Sequence, residues 1–486
     1  MEKYLLGIDI GTSGCKCSVI NDQGKMIASS SQEYVPFSPQ PGWMEQDPFD
    51  WYHALILALR KLQNESAIDL KNIIALAPTG QMRGLTFIGK KGEVVRNSIL
   101  WNDLRCQEEV NHINSSSRTL VEEITGNPIN TMCTLPKILW VMKNQQELWE
   151  KTNKIIYPKD FISYQLTGNI QTDHSDGSGS SFYDIRKQEW SPVILELFGI
   201  SRGKLPELYL STAMVGKVTR MAAYDTGLLE GIPVMAGGSD STVETISIGI
   251  IGPHQCKIRL GTSGALSTVV NTIENRHKYY YWSYLVPKHW MIDLNTRSCA
   301  QSVQWLRKVF FSELPSESIS YHHIEEEARQ SPLGSQGLIF HPYLMGEDAP
   351  YWDPILQGNF SGITIEHNRS DFARAVYEGT AFALKDAMSC FGNISNGFQQ
   401  YIFVGGGTRN LLWLSIVADV LGVNGIIPPY SDASYGAALI AGIGSGVFNS
   451  LSYITHKFVT FNKIEYSKYN NTIYNNIYEI YKSKIM

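Results

Sequence analysis

The residues best able to do chemistry in this 486-residue chain form a short set. Asp9 ends an apolar run and leads into Gly11-Thr12-Ser13-Gly14. Asp240 follows Gly237-Gly238-Ser239, the string Gly-Thr-Ser-Gly returns at Gly261–Gly264, and Gly405-Gly406-Gly407 makes a third glycine loop. Glycine loses more backbone freedom on folding than any other residue, so Gly7, Gly11 and Gly14 point to close backbone approach. Consecutive loop N–H groups can cradle an anion. Neither the GxxxxGK[ST] nor the GxGxxG spacing is present, so the loop is not one of the familiar nucleotide fingerprints. Phosphoryl transfer needs positioning, charge neutralisation and an oriented nucleophile. Asp9 is placed to hold Mg²⁺ or its water shell, and Asp240 to accept a proton from an attacking hydroxyl. Asp9 capping its own loop and Asp240 capping the next helix are the structural alternatives.

The elements that must position these groups can be read from pattern. Tyr4–Ile10 reads as a strand, Cys15–Ile20 as a second, and Asn21-Asp22-Gln23-Gly24 as a turn into a third over Lys25–Ser31. The first glycine loop therefore opens a hairpin, not a helix, and must bind anions through its own backbone. Asp47-Pro48 predicts a helix start with Asp as cap and Pro in the first turn. Trp51, Leu55, Leu59 and Leu62 would form its buried face. Ile73–Ala77 reads as a buried strand running into a loop from Pro78 to Gly84. A helix over Asp160–Leu166 should stop at Gly168. The polar block Thr172–Ser181 reads as an ordered connection or a linker. "KIRLGTSGALSTVV", from Lys257 to Val270, repeats strand, loop and strand, which suggests internal duplication with the two loops facing each other across a polyphosphate. The boundary falls near Ile248–Pro253. A helix follows Gly405–Gly407, a small-residue helix begins near Asp432, and the Asn-, Tyr- and Lys-rich tail ends in a mixed helical pattern.

Composition excludes several classes. The hydrophobic share of 43% and charged share of 18% describe an ordinary globular chain. With 41 basic against 46 acidic residues and no basic block, no nucleic-acid partner is expected. No run of about 20 apolar residues occurs, so no membrane span is expected. Asp9 interrupts the first apolar run, which argues against a secretory leader. Seven cysteines without a CxxC pair read as reduced, inert thiols, and Cys299 has no activating neighbour in sequence. His53 and His174 lack partners at metal-ligand spacing. "YYYWSYLV", Tyr279–Val286, reads as a core or interface strand.

Taken in order, "GIDIGTSGCK", "WMEQDP", "GQMRG", "ILWNDLR", "YPKDFISYQLTG", "GGSD", "LGTSG", "PYLMGEDAPYWDP" and "GGGTRN" resemble the FGGY family of carbohydrate kinases. That family lies within the actin-like ATPase superfamily, and the chain is most similar to its xylulokinase branch. The resemblance implies an α/β fold of two ribonuclease H-like (actin/hexokinase-type ATPase) domains with an interdomain cleft. Residues 1–249 would carry the sugar site and first phosphate loop, and 250–486 the ATP site. Closure over both substrates would exclude water. By resemblance Asp240 is the catalytic base and Asp9 its partner carboxylate near Mg²⁺. Gly11, Thr12, Ser13 and Lys16 are similar to the first phosphate loop, and Gly261 and Thr262 to the second. Gly405, Gly406 and Asn410 match the adenosine loop, and Gln304 a position near adenine. Gln81, Met82 and Arg83 match the substrate loop, with Trp101, Asn102 and Asp103 nearby. The implied cofactors are ATP and Mg²⁺, and the implied partner is a small-molecule sugar in the cytoplasm. Dimers are common in the family, so a homodimer is an expectation, though no interface pattern demands it.

The chain also departs from the xylulokinase pattern. Arg83 stands where those enzymes carry His, and a permanently charged fork is not a conservative exchange. Ser241-Thr242 replaces the usual residues after the base, and Gly346-Glu347-Asp348-Ala349-Pro350 replaces Gly-Glu-Arg-Thr-Pro. The implied activity is ATP-dependent phosphorylation of a sugar hydroxyl, on a ketopentose such as D-xylulose, or on gluconate or another sugar or polyol. A non-catalytic nucleotide switch is the competing class, and it would have no need of Asp240.

Overall fold

Leu5, Leu6, Ile8 and Ile10 are fully buried, so the first strand, β1 (Tyr4–Ile10), is covered on both faces. That explains its near-continuous apolar run, since a central strand has no solvent face to alternate toward. It pairs antiparallel with β2 (Gly14–Asn21) and parallel with the strand Ile73–Gly80. β3 (Met26–Glu33) continues the hairpin beyond β2. Pro233–Met235 and Gly238–Ser239 both pair parallel with Ile73–Gly80, so several strands end on one edge.

The computed structural model describes residues 2–66, 68–274, 279–314, 317–450 and 462–485. By contact the chain divides into two units, and the division is not linear. The first comprises Met1–Ile251, Val270–Met291 and a stretch starting at Tyr430. The second comprises Gly252–Val269, Ile292–Pro429 and the C-terminal stretch. The division therefore differs from 1–249 and 250–486 in returning Tyr430 and its helix to the first unit. The reason is packing: a Cβ on Gly7 would lie 1.8 Å from the Ser434 carbonyl oxygen, so β1 is built to receive the helix Ala433–Gly444. Ser18 and Ser434 share a buried hydrogen bond of 2.6 Å in the same place.

Within the first unit, α1 (Pro48–Ser66) begins as its sequence predicts. Asp47 Oδ1 accepts from the Phe49 N–H at 2.9 Å, and Trp51, Leu55, Leu59 and Leu62 are fully buried. The helix Pro158–Thr167 ends at Gly168, whose φ of 77° is left-handed backbone that favours glycine. The polar block at 172–181 is ordered. It holds the end of a short strand and the turn of helix His174–Ser178, and Asp173, Asp160 and Asp176 surround the buried Lys159 ammonium. Burial alone would make these charges costly; mutual pairing is what keeps them inside.

The second unit repeats the plan of the first. Gln255–Leu260 pairs antiparallel with Gly264–Val270 and parallel with Gln400–Val404, which in turn pairs parallel with Gly425–Ile427. A hairpin opened by Gly-Thr-Ser-Gly and followed by parallel strands is therefore present in each unit, the ribonuclease H-like pattern expected from the duplicated string. The tail forms the helix Lys468–Ser483, held by Tyr474 donating to Glu378 and Tyr478 donating to Asp386; the part of the tail over 451–461 lies outside the described residues. Among the described residues no helix is long and apolar enough to cross a membrane. The seven cysteines are free, and burial raises the Cys299 thiol to about 12. His174 is bonded to the Tyr183 hydroxyl, and His53 lies exposed on α1.

Candidate active site

Parallel pairing decides which residues meet in the first unit. Asp9 stands opposite Thr79 and Ile10 opposite Gly80, while Gly238 and Ser239 pair with the same Thr79 and Gly80. The loops that leave these three strands carry Gly11–Ser13, Gln81–Arg83 and Asp240. Thr79 Oγ1 donates to the Gly238 carbonyl at 2.7 Å, and the Gln81 N–H donates to the Ile10 carbonyl at 2.8 Å, which ties the three loops together. Ligands of open α/β sheets bind at such carboxyl ends.

The phosphate loop is oriented through its carbonyls. Gly11 O accepts from the Tyr34 hydroxyl at 2.6 Å, Thr12 O from Gln46 Nε2 at 2.7 Å, and Ser13 O from the Tyr34 N–H at 3.1 Å. In a trans peptide the following N–H points the opposite way, so this anchoring turns the Thr12 and Ser13 N–H groups away from their anchors, while the Gly11 N–H donates to the Gly14 carbonyl at 3.0 Å. That is the geometry of an anion cradle.

Asp9 Oδ1 is buried without a hydrogen-bond partner among the described residues. Its carboxyl is pushed up to about 8, first by burial and then by repulsion from Asp240 and Asp432, with Lys16 opposing and Glu244 adding to the rise. Lys16 lies across from Asp9 in the hairpin and pairs with Asp432 at 3.1 Å. Asp432 also caps the helix Ala433–Gly444, accepting from the Tyr435 N–H. Several carboxylates around one lysine fit a divalent cation bound with phosphate oxygens, since Mg²⁺ takes one or two carboxylates and little else from protein. No group of three His, Cys, Asp or Glu among the described residues forms a cage that would hold a metal by itself. Asp240 opens the helix Asp240–Ser247, and its Oδ1 accepts from the adjacent Ser241 N–H at 2.7 Å; the cap position belongs to Ser239.

The expected sugar residues fall into two groups. Gln81 and Trp101 meet at Thr12, whose Oγ1 accepts from Trp101 Nε1 at 3.0 Å and donates to Gln81 Oε1 at 3.3 Å, and Asn102 Oδ1 is buried and unpartnered among the described residues. Arg83 has a φ of 62° and lies 4.7 Å over the Trp282 ring and 5.9 Å over Tyr280. Its Nε and the Trp282 indole nitrogen are buried without hydrogen-bond partners among the described residues. Met82 is half-buried beside it. Asp103 plays another part: both oxygens are taken by Arg105, at 2.8 and 2.7 Å, and Oδ2 also by the Met44 N–H. It shapes the Trp101–Asn102 turn from behind.

In the second unit, pairing of Arg259 with Val404 sets the Gly261 loop beside the Gly405 loop. Gly405 has a φ of 94°, and a Cβ there would lie 2.6 Å from Leu260 O, so only glycine lets the two loops meet. Gly406 opens onto free space. Gly261 and Thr262 turn their carbonyls to the N-terminus of helix Ala300–Phe310, on which Gln304 is exposed. Asn410 caps the next helix through Trp413 and donates to the Tyr377 hydroxyl, so its side chain is engaged.

Two domain patterns of one family cover this arrangement: the N-terminal domain of the FGGY carbohydrate kinases matches residues 4–247 and the C-terminal domain residues 256–445. The chain belongs to the FGGY family of carbohydrate kinases. It is 34% identical over 484 residues to a xylulose kinase of Lactococcus lactis, covering 99% of this chain and 96% of that one. It is 32% identical over 485 residues to a xylulose kinase of Bacillus subtilis, with the same coverage. A gluconate kinase structure from Lactobacillus acidophilus superposes with a TM-score of 0.91 at 26% identity, covering 99% of this chain and 97% of that one. This FGGY protein is thus an ATP-dependent carbohydrate kinase.

Sequence reasoning missed four residues that meet the candidate site. Gln46 sat unremarked inside "WMEQDP". Asp432 was legible only as a helix start, although an aspartate before a small-residue helix was the signal available. Lys137, donating to the Trp101 and Met132 carbonyls, and the Trp282 platform under Arg83 left no local signal, because both meet the site only through folding.

Proposed function

We propose that this kinase transfers the terminal phosphoryl group of ATP to a hydroxyl of a ketopentose, D-xylulose, with Asp240 as general base. The supporting observation is the shared edge at which Gly11–Ser13, Gln81–Arg83 and Asp240 leave three paired strands. Likeness to two xylulose kinases over 99% of the chain supports the choice of sugar. Asp240 accepts the proton as the acceptor oxygen bonds to phosphorus and ADP departs, so no strong alkoxide need form first. In the first unit the Thr12 and Ser13 N–H groups are the donors for phosphoryl oxygens, and in the second unit the adjoining Gly261 and Gly405 loops are the nucleotide-binding candidates. Asp9 would hold Mg²⁺, which offsets phosphate charge when bound.

A second reading, an aldonic acid acceptor such as gluconate, is favoured by Arg83. A buried guanidinium with no carboxylate partner among the described residues suits a ligand that brings its own anion. An ADP-release screen over ketopentoses, pentitols, hexuloses and aldonic acids separates the two. The first reading expects the highest kcat/KM on D-xylulose; a clear preference for an aldonate replaces it. Asp240→Asn should lower sugar phosphorylation by roughly 10²–10⁴-fold while ATP still binds. Near-parental turnover would remove Asp240 from the mechanism.

A further inference from the structure

Gln46 is 2% exposed and engages both ends of its amide. Oε1 accepts from Trp51 Nε1 and from Gln81 Nε2, both at 2.9 Å. Two donors converging on one atom fix which end of the amide is oxygen. Nε2 must then face the other way, where it donates to the Thr12 carbonyl at 2.7 Å. Gln81 continues the connection, since its Oε1 accepts from Thr12 Oγ1 at 3.3 Å. One side chain therefore grips the backbone of the phosphate loop and the side chain of the acceptor loop together. Trp51, fully buried in α1, anchors that side chain to the core.

We infer that Gln46 is a positioning residue for phosphoryl transfer, holding the Thr12–Ser13 peptide and Gln81 in one register. The inference rests on reading Gly11–Ser13 as the phosphate loop and Gln81 as an acceptor residue. With the Thr12 carbonyl held by Gln46, the Ser13 N–H is turned outward toward an anion. Without it the peptide is free to rotate, and the donor and acceptor of the phosphoryl group lose their common reference. Small displacements of reacting groups weigh on the rate far more than on binding. The chemistry also selects the residue. Glutamate has the same shape but cannot donate to Thr12, and its second oxygen would repel that carbonyl.

Gln46→Glu and Gln46→Met test this, with Leu62→Ala, a fully buried residue farther along α1, as the packing control. The expected result is a fall in kcat of at least about tenfold for both Gln46 variants, with the sugar KM changed less than about threefold. Leu62→Ala should lower the melting temperature and keep kcat near parental per folded molecule. A packing role alone would lower the melting temperature and leave kcat per folded molecule unchanged, which overturns the inference. So does a raised sugar KM at parental kcat, which would confine Gln46 to the acceptor loop. If Gln46→Met does not fold, the near-isosteric Gln46→Glu decides; failure of both to fold assigns Gln46 to the core instead. Asp240→Asn run alongside separates the two levels. An inactive Asp240→Asn with active Gln46 variants removes Gln46 alone, and an active Asp240→Asn removes the site reading itself.

Discussion

Arg83 and Glu347 are both buried ionisable groups that keep one polar atom without a hydrogen-bond partner among the described residues. Arg83 was legible as an exchange in the substrate loop, but the rings of Tyr280 and Trp282 that carry it lie about 200 residues away in sequence, where only an aromatic alternation could be read. Arg83→His should change the ratio of kcat/KM between ketoses and aldonates while leaving the KM for ATP near parental, as measured in the same ADP-release assay. An unchanged profile would show that Arg83 does not select the acceptor. Glu347 accepts from the Arg297 and Asp348 N–H groups at 2.7 and 2.8 Å, yet burial dominates and pushes its carboxyl up to about 8. Between its usual value and about 8 the folded chain holds a proton that the unfolded chain has lost. That stabilisation is complete below the unfolded value and is lost as pH rises through about 8. Glu347→Gln should therefore flatten the fall in melting temperature between about pH 6 and pH 8.5, matching the parent near pH 5. Parallel slopes for the two proteins would refute it.

Elements show why some of the fold could be read and some could not. Asp47-Pro48 announced α1 because capping chemistry is local. The strand–GTSG–strand echo announced the duplicated hairpin because short apolar runs and glycine loops are local too. Pro78 misled: it argued for a loop from residue 78, whereas the strand runs to Gly80. Pairing with β1 on one side and with Gly238–Ser239 on the other extends it, and that pairing is a tertiary fact. The polar block at 172–181 was equally ambiguous, since its order depends on Lys159 arriving from another helix. The duplication is also asymmetric in charge, with Asp9 two residues before Gly11 and Arg259 two residues before Gly261. β1 packs against the helix Ala433–Gly444 with no room for a side chain at Gly7. Gly7→Ala would drive a methyl into the Ser434 carbonyl, and overpacking of this kind costs about 1–3 kcal/mol or more. The expected outcome is a clear drop in melting temperature with sugar specificity retained in the folded fraction; an unchanged melting temperature would mean the helix can retreat.

At the scale of the whole molecule, the sequence suggested two consecutive halves, and contact divides the chain differently. The first unit takes in a helix from beyond residue 430, so a fragment spanning 1–249 lacks the element that covers β1. Such a fragment should lack a cooperative thermal transition and be cut rapidly by protease, whereas a cooperative transition would show that the helix is dispensable. The Ser18–Ser434 hydrogen bond, which spans 416 residues of chain, has a consequence for biosynthesis. At about 5–20 residues per second, a ribosome would need roughly 20–80 s to deliver Ser434 after Ser18. For that interval the nascent strand bearing Asp9 has an uncovered apolar face, and it is during translation, more than in the finished enzyme, that this chain would need shelter from a chaperone.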